Sequence, residues 1–136
     1  MSTLIRSTED LERWKASRDL RLFVAREVVP ILPREERYRL GGQILEAARS
    51  MAANIAGGHG RFHYLDNAKF CRNARGSGTE VLDHLIAAHD EGMVSDKIMA
   101  DGRAKVSLAL KPINGDMADL KRASLPAVRP KHARPE

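Results

Sequence analysis

Cysteine, aromatic side chains and long apolar runs are all scarce in this sequence of 136 residues. The single cysteine, Cys71, excludes a disulfide within the chain and fits a reducing compartment. Aromatic residues make up 4% of the chain, which is few for a sheet-based fold. No apolar run approaches the roughly 20 residues that span a bilayer, and the N-terminal segment lacks the apolar core of a signal peptide. We therefore predict a soluble cytoplasmic protein without a membrane partner.

Basic residues outnumber acidic ones, but most of the excess lies at the C-terminal end. The chain holds 23 Lys and Arg against 18 Asp and Glu, a formal net charge of +5. Residues 121–136 contain five basic residues and one acidic residue, so they carry +4 and leave about +1 for residues 1–120. Three prolines among those basic residues predict a disordered tail. The folded part is expected to be nearly neutral.

Apolar residues recur at helical spacing in the first half of the chain. The first helix is predicted to begin near Thr8 and to be followed by a break that Pro30 and Pro33 bracket, because an interior proline loses a hydrogen bond. The second helix is predicted from about Arg34 to Ala56, followed by a glycine turn at 57–60. Its apolar stripe is expected to consist of Leu40, Ile44, Ala47, Ala48, Met51 and Ile55.

The third helix is predicted from about Phe62 to Glu91. Two rows with a spacing of seven are expected to face the core: Tyr64, Cys71, Gly78 and Leu85, and Ala68, Arg75, Leu82 and His89. Arg75 would then lie at the core edge, where an unpaired guanidinium is costly. Gly92 is expected to end this helix, and Ser95 to cap a fourth helix that Pro112 kinks.

Four amphipathic helices with short connections predict an all-α fold, an antiparallel up-down four-helix bundle. The predicted boundaries are a flexible N-terminus over 1–8, the bundle over 9–123 and a disordered basic C-terminal tail over 124–136.

Several short strings in the sequence match one known family. They are Asn54-Ile55-Ala56, Gly58, Arg61, Phe70, Ala74, Gly76-Ser77 and Glu80. In these residues the chain resembles the four-helix-bundle family of proteins encoded in 23S rRNA intervening sequences, and the likeness covers roughly residues 10–120. A sister group, the accessory variability proteins of diversity-generating retroelements, is similar in fold and oligomer.

The resemblance implies a cyclic homopentamer without catalytic activity, and we expect no cofactor. The sister group binds nucleic acid and partners a reverse transcriptase. The resemblance therefore implies RNA or DNA, and a reverse transcriptase, as partners of this chain.

Arg61, Lys69, Arg72 and Arg75 form the densest basic set in the folded part. A spacing of three places the last three on overlapping faces of one helix, where they could meet successive phosphates. The alternative is that these cations are solvated or bridge subunits by pairing with Glu46, Glu80 or Asp83. Gly76-Ser77-Gly78, in the same helix, lacks the strand and the lysine of a phosphate loop. It is interpreted as close helix packing, or as a break capped by Ser77 and Glu80.

Polar residues on the second and third helices are interpreted as an assembly network, which comprises Gln43, Asn54, Glu80, Asp83 and His84. Glu80, Asp83 and His84 would serve a rival hypothesis as an acid–base set of a small enzyme. The histidines and Cys71 lack paired-cysteine or His-Glu-x-x-His spacing, so no metal site is predicted.

The leading hypothesis is a non-enzymatic, oligomeric four-helix bundle that acts as an interaction protein or a nucleic-acid-associated accessory protein. A protein-only adaptor, whose basic tail binds an acidic partner, is the alternative from another class.

Overall fold

The computed structural model of the chain describes residues 8–59 and 64–124. These residues form four long helices: α1 (Thr8–Phe23), α2 (Leu40–His59), α3 (Tyr64–Asp90) and α4 (Asp96–Ser124). Thr8, the last residue of the predicted flexible N-terminus, already belongs to α1. Residues 125–136 of the predicted tail lie outside the described residues.

Each helix packs against two neighbours, so that α1, α2, α3 and α4 close a ring in chain order. This arrangement confirms the predicted up-down bundle.

The pKa of Lys97 is raised above its ordinary value, chiefly by its hydrogen bond to Asp101 and also by the carboxylate of Glu27. Glu27 follows α1 and Lys97 begins α4, so the C-terminal end of α1 lies near the N-terminal end of α4. None of the helices in the described part of the chain has the length and hydropathy of a membrane span.

The core runs along the bundle axis and draws on all four helices. The predicted stripe of α2 is confirmed, because Ile44, Ala47, Ala48, Met51 and Ile55 are buried. Facing them are Leu20, Phe23 and Val24 from the first segment, Val81 and Leu85 from α3, and Val106, Ala109 and Ile113 from α4. Full burial of one such large apolar side chain contributes about 1.5–3 kcal/mol, so this column holds the bundle together.

The two rows predicted for α3 differ in burial. In the second row Ala68, Leu82 and His89 are half-buried at the core edge and Arg75 is exposed, while in the first row the side chain of Tyr64 lies outside the described residues. Cys71, Gly78 and Leu85 are buried as predicted. The second buried row is Ala74, Val81 and Ala88, one residue before the predicted row of Ala68, Arg75, Leu82 and His89. One residue rotates a helix by about 100°, so the prediction for Arg75 was wrong and its side chain is exposed. Alanine carries little apolar signal in a sequence, which explains the error.

The connection between α1 and α2 is longer than predicted. A π-helical turn, Val24–Val28, continues α1, and two 3₁₀ turns follow at Val29–Ile31 and Arg34–Glu36. The prediction that α2 begins at Arg34 was therefore wrong, because α2 begins at Leu40. Gly41 explains the tight entry. A Cβ there would lie 3.3 Å from side-chain atoms of both Leu32 and Val29 in the connection.

Two glycine-rich segments are more helical than predicted. The predicted turn at 57–60 is wrong for Gly57, Gly58 and His59, because α2 continues through them, and Gly60 lies outside the described residues. The interpretation of Gly76-Ser77-Gly78 as a capped break is also wrong, because α3 is continuous there. Close packing is confirmed at Gly78, where a Cβ would lie 3.0 Å from Leu110 Cδ2.

The turn between α3 and α4 is confirmed as predicted. Gly92 has a φ of +74°, and the amides of Gly92 and Met93 donate to the carbonyls of His89 and Ala88 at 3.0 and 2.8 Å. These two bonds satisfy the last carbonyls of α3 in the pattern of a Schellman motif. Ser95 Oγ then accepts the amide of Ile98 at 3.1 Å and so caps α4.

We expect Gly92→Ala to lower the free energy of unfolding by about 1 kcal/mol, because a Cβ disfavours the left-handed conformation. Gly42→Ala is the control, since Gly42 lies in the first turn of α2 and a Cβ there meets nothing within 4 Å. That change should raise stability by about 0.5–1 kcal/mol. Urea unfolding of both variants decides the point, and a shift of the two midpoints in the same direction would contradict it.

Candidate functional site

Three cations of the predicted basic set follow one another along α3. Lys69, Arg72 and Arg75 are all exposed, and we call them the basic strip. At about 1.5 Å rise per residue, the strip extends for about 9 Å along the helix. Arg61, the fourth residue of the predicted set, lies outside the described residues.

No carboxylate whose side chain the structure describes forms an ion pair with the basic strip. Pairing with Glu46, Glu80 or Asp83 within one chain is therefore absent among the described side chains, while solvated cations and pairing between subunits stay open as the alternative. Arg75 contributes only its backbone carbonyl to a local contact, by accepting the hydroxyl of Thr79 at 2.9 Å. Because the guanidinium is exposed, it incurs no burial cost that an internal partner would have to offset.

Charge along α3 is divided by sign. The basic strip and a single acid, Asp66, occupy the N-terminal half, whereas Glu80, Asp83 and Asp90 occupy the C-terminal half. A helix dipole favours acids near the N-terminus and bases near the C-terminus, so this order does not stabilise the helix. The division instead leaves a cluster of like charge in which the cations are available to an external anion.

A polar seam of three side chains joins α2 to α3. Ser77 Oγ donates to Ser50 Oγ at 3.0 Å across the two helices. Asn54 Nδ2 donates to the carbonyl of Ser50 at 2.8 Å, and lies 3.3 Å from its hydroxyl. Asn54 of the predicted network therefore orients Ser50, and the Ser50–Ser77 bond fixes the register of the two antiparallel helices.

Two further residues of the predicted network, Gln43 and His84, lie one heptad away from the seam. Gln43 is seven residues before Ser50 and His84 is seven after Ser77, so the antiparallel register brings them to the same level. His84 is only 15% exposed, and its Nε2 lies 3.4 Å from Glu80 Oε2. Gln43 is exposed and, like Asp83, has no side-chain contact with the seam among the described residues.

The proposed acid–base set does not converge. The side chain of Glu80 is 57% exposed, Asp83 is exposed, and His84 meets only Glu80. Within the part of the chain that the structure describes, no three His, Cys, Asp or Glu side chains could hold a metal ion together. The seam is therefore best understood as a contact between two helices.

A groove on the outer side of α3 and α4 was missed by the sequence analysis. Its two adjoining sections, of about 430 and 440 Å³, share Arg103 and Ser107. We call it the α3–α4 groove, and its lining includes Leu82, His89, Ala100, Arg103, Ala104 and Lys111. The signal was present in α4, where Ala100, Ala104 and Leu108 follow at a spacing of four on a face that is exposed.

Fold and site together define a small all-α bundle that displays basic and apolar surfaces. A family model described as 23S rRNA-intervening sequence protein matches residues 9–115, and the chain belongs to that family. The match confirms the resemblance seen in the sequence and reaches from α1 into α4. None of the curated proteins matches the sequence significantly.

Proposed function

We propose that this protein is a non-enzymatic, homo-oligomeric accessory protein, a pentamer, that associates with RNA or DNA through the basic strip. The observation that carries the proposal is the strip itself: Lys69, Arg72 and Arg75 are exposed and have no carboxylate partner among the described residues. Arg61 is part of the proposed surface by its place in the sequence.

Phosphates are the anions that this geometry suits best. Arginine offers two parallel N–H donors to one phosphate, and lysine acts as a point charge. Contacts of this kind are independent of base sequence and position a protein on a nucleic acid backbone. Since residues 1–120 carry only about +1 in net charge, we attribute the association to the local cluster rather than to the overall charge.

Assembly is supported by apolar surface that a lone bundle leaves in water. Ile31, Leu108 and Tyr38 are 49%, 64% and 90% exposed. The α3–α4 groove adds further apolar surface beside Leu108. A contiguous exposed apolar surface, unlike a single exposed side chain, marks an interaction site on a soluble protein. The α3–α4 groove is such a surface, and family membership favours copies of the same chain as its occupants.

The proposal predicts that the full chain binds labelled RNA and DNA at low salt and that added salt weakens the binding. Light scattering on the same sample should give a mass of about five times the 15.1 kDa of one chain. Absence of binding even at low salt would favour the protein-only adaptor, and a strict monomer at micromolar concentration would overturn the assembly. Capture of a reverse transcriptase encoded nearby would test the partner that the resemblance implies.

A further inference from the structure

Exposed charges on α1 and in the α3–α4 groove form two matching rows. Glu12 and Asp19 on α1 and Arg26 in the π-helical turn that continues α1 follow at a spacing of seven, with charges minus, minus, plus. Along α4, Lys111, Arg103 and Asp96 line the groove at spacings of eight and seven, with charges plus, plus, minus. All six residues are exposed. The signs are complementary when the two helices run in opposite directions.

The two rows cannot pair within one chain, because α1 packs on one flank of α4 whereas the groove lies on the other flank. Phe23 of α1 approaches Gly102, at 3.2 Å from an added Cβ, and its ring lies 5.8 Å from Lys105 Nζ. Arg103 lies instead on the flank that faces α3, where it lines the groove with Leu82. Among the described residues the only polar side-chain contact of either row joins Asp96 Oδ1 to His89 Nε2 at 2.7 Å, inside the groove itself.

The rows also match in height along the bundle. Phe23 is level with Gly102. Because α1 and α4 run in opposite directions, Asp19, four residues before Phe23, is level with Val106, four residues after Gly102. Arg103 is three residues from that level, which is about 4.5 Å. By the same count Arg26 falls three residues from Asp96, and Glu12 falls two residues from Lys111. In all three pairs the groove residue is displaced in the same direction along α4, so one shift of α1 by about 4 Å along the bundle axis aligns all three pairs.

The floor of the groove suits an approaching helix. Ala100 and Ala104 line it and are exposed, and their small side chains allow a close approach. On α1, Leu22 is half-buried and lies three residues from Asp19, so the two residues share a face of the helix. Leu22 with charged neighbours would thus meet Ala100 and Ala104, whose neighbours carry the opposite charges. Helix–helix interfaces that select their partner show this pattern of apolar contacts between charge pairs.

We propose that α1 of a second copy of this chain lies antiparallel in the α3–α4 groove, with Glu12, Asp19 and Arg26 opposite Lys111, Arg103 and Asp96. This rests on the self-assembly put forward under the proposed function, and it adds which surfaces meet. Because two different surfaces are joined, the contact is heterologous, and repetition of it generates a ring when the rotation closes. The charge pairs select the partner surface and its register.

Charge reversal in the full chain tests the pairing. Arg103→Glu and Asp19→Arg each place like charges opposite each other, so we expect each to weaken self-association by about tenfold or more. Asp19→Arg combined with Arg103→Glu in one chain restores opposite charges at every contact and should restore the wild-type mass. Arg49→Glu, an exposed reversal on α2 outside both rows, is the matched control. Light scattering across a concentration series gives the masses, and circular dichroism confirms that each variant is helical.

The outcomes separate this pairing from the wider proposal. A wild-type protein that remains monomeric would overturn self-assembly and the pairing together. A wild-type oligomer in which Arg103→Glu behaves like Arg49→Glu would overturn the pairing alone. Loss of assembly in both single variants without recovery in the double variant would show that these residues do not face each other.

Discussion

Gly102→Val lowers the free energy of unfolding by about 3 kcal/mol, the largest stability loss we expect from one substitution on α4. A Cβ at Gly102 collides with Leu85 Cδ2 and lies 3.2 Å from Phe23 Cε2. Leu85 and Phe23 are 1% and 3% exposed, so neither has room to turn aside. The branched side chain forces α4 away from α1 and α3 and leaves poorly packed space along the core.

The same substitution at Gly76 is the matched control. Gly76 lies within α3, and a Cβ there meets nothing within 4 Å. Removing a glycine from a helix interior offsets the modest helical cost of valine, so we expect a change within about 0.5 kcal/mol. Urea unfolding measures both variants. Equal losses at the two positions would show that the close approach at Gly102 does not determine how α4 packs.

Replacement of Lys69, Arg72 and Arg75 together by alanine lowers the affinity for nucleic acid by about 100-fold. A hydrogen bond to a charged group contributes about 1.5 kcal/mol or more, and solvent exposure reduces that value. Three contacts of about 1 kcal/mol each amount to roughly 100-fold, since 1.4 kcal/mol corresponds to a factor of ten. Fluorescence anisotropy of a labelled duplex at fixed salt measures the loss.

A triple variant that removes the same charge elsewhere serves as the control. Lys15, Arg34 and Arg39 are exposed on α1 and in the connection before α2, away from the basic strip. Alanine at these three positions should weaken binding by less than about fivefold, because only the long-range field changes. If both triple variants lose affinity equally, binding follows net charge, and the strip has no special part in it.

Periodicity alone predicted the fold because each helix has to bury one stripe. On α2 the stripe contains large apolar residues from Ile44 to Ile55, and these are buried as predicted. Local chemistry was equally informative at Gly92 and Ser95, whose cap functions depend only on neighbours in the chain. These features needed no knowledge of the tertiary structure.

Features that depend on neighbouring helices could not be predicted in the same way. The second buried row of α3 contains Ala74 and Ala88, whose small side chains differ little from a surface alanine in the sequence. The entry to α2 depends on Gly41 packing against the preceding connection, which shifts the helix start from Arg34 to Leu40. The α3–α4 groove exists only once two helices lie side by side.

The candidate site was predicted in composition but not in geometry. Lys69, Arg72 and Arg75 were identified from their spacing, yet Arg75 was placed at the core edge and is exposed. Asn54 was predicted as part of an assembly network, and the structure places it against Ser50 within one chain. Helical spacing gives the angle between two side chains around the helix axis, whereas the packing of the neighbouring helices determines which face of the helix is exposed to solvent.

The salt dependence of nucleic acid binding tests the central proposal most directly. Each phosphate contact to duplex DNA contributes about 0.9 to the slope of log affinity against log salt concentration. If Lys69, Arg72 and Arg75 each contact a phosphate, the slope of the wild-type protein should exceed that of the triple alanine variant by about 2.7. Identical slopes for the two proteins would contradict the assignment of the basic strip as the nucleic acid contact.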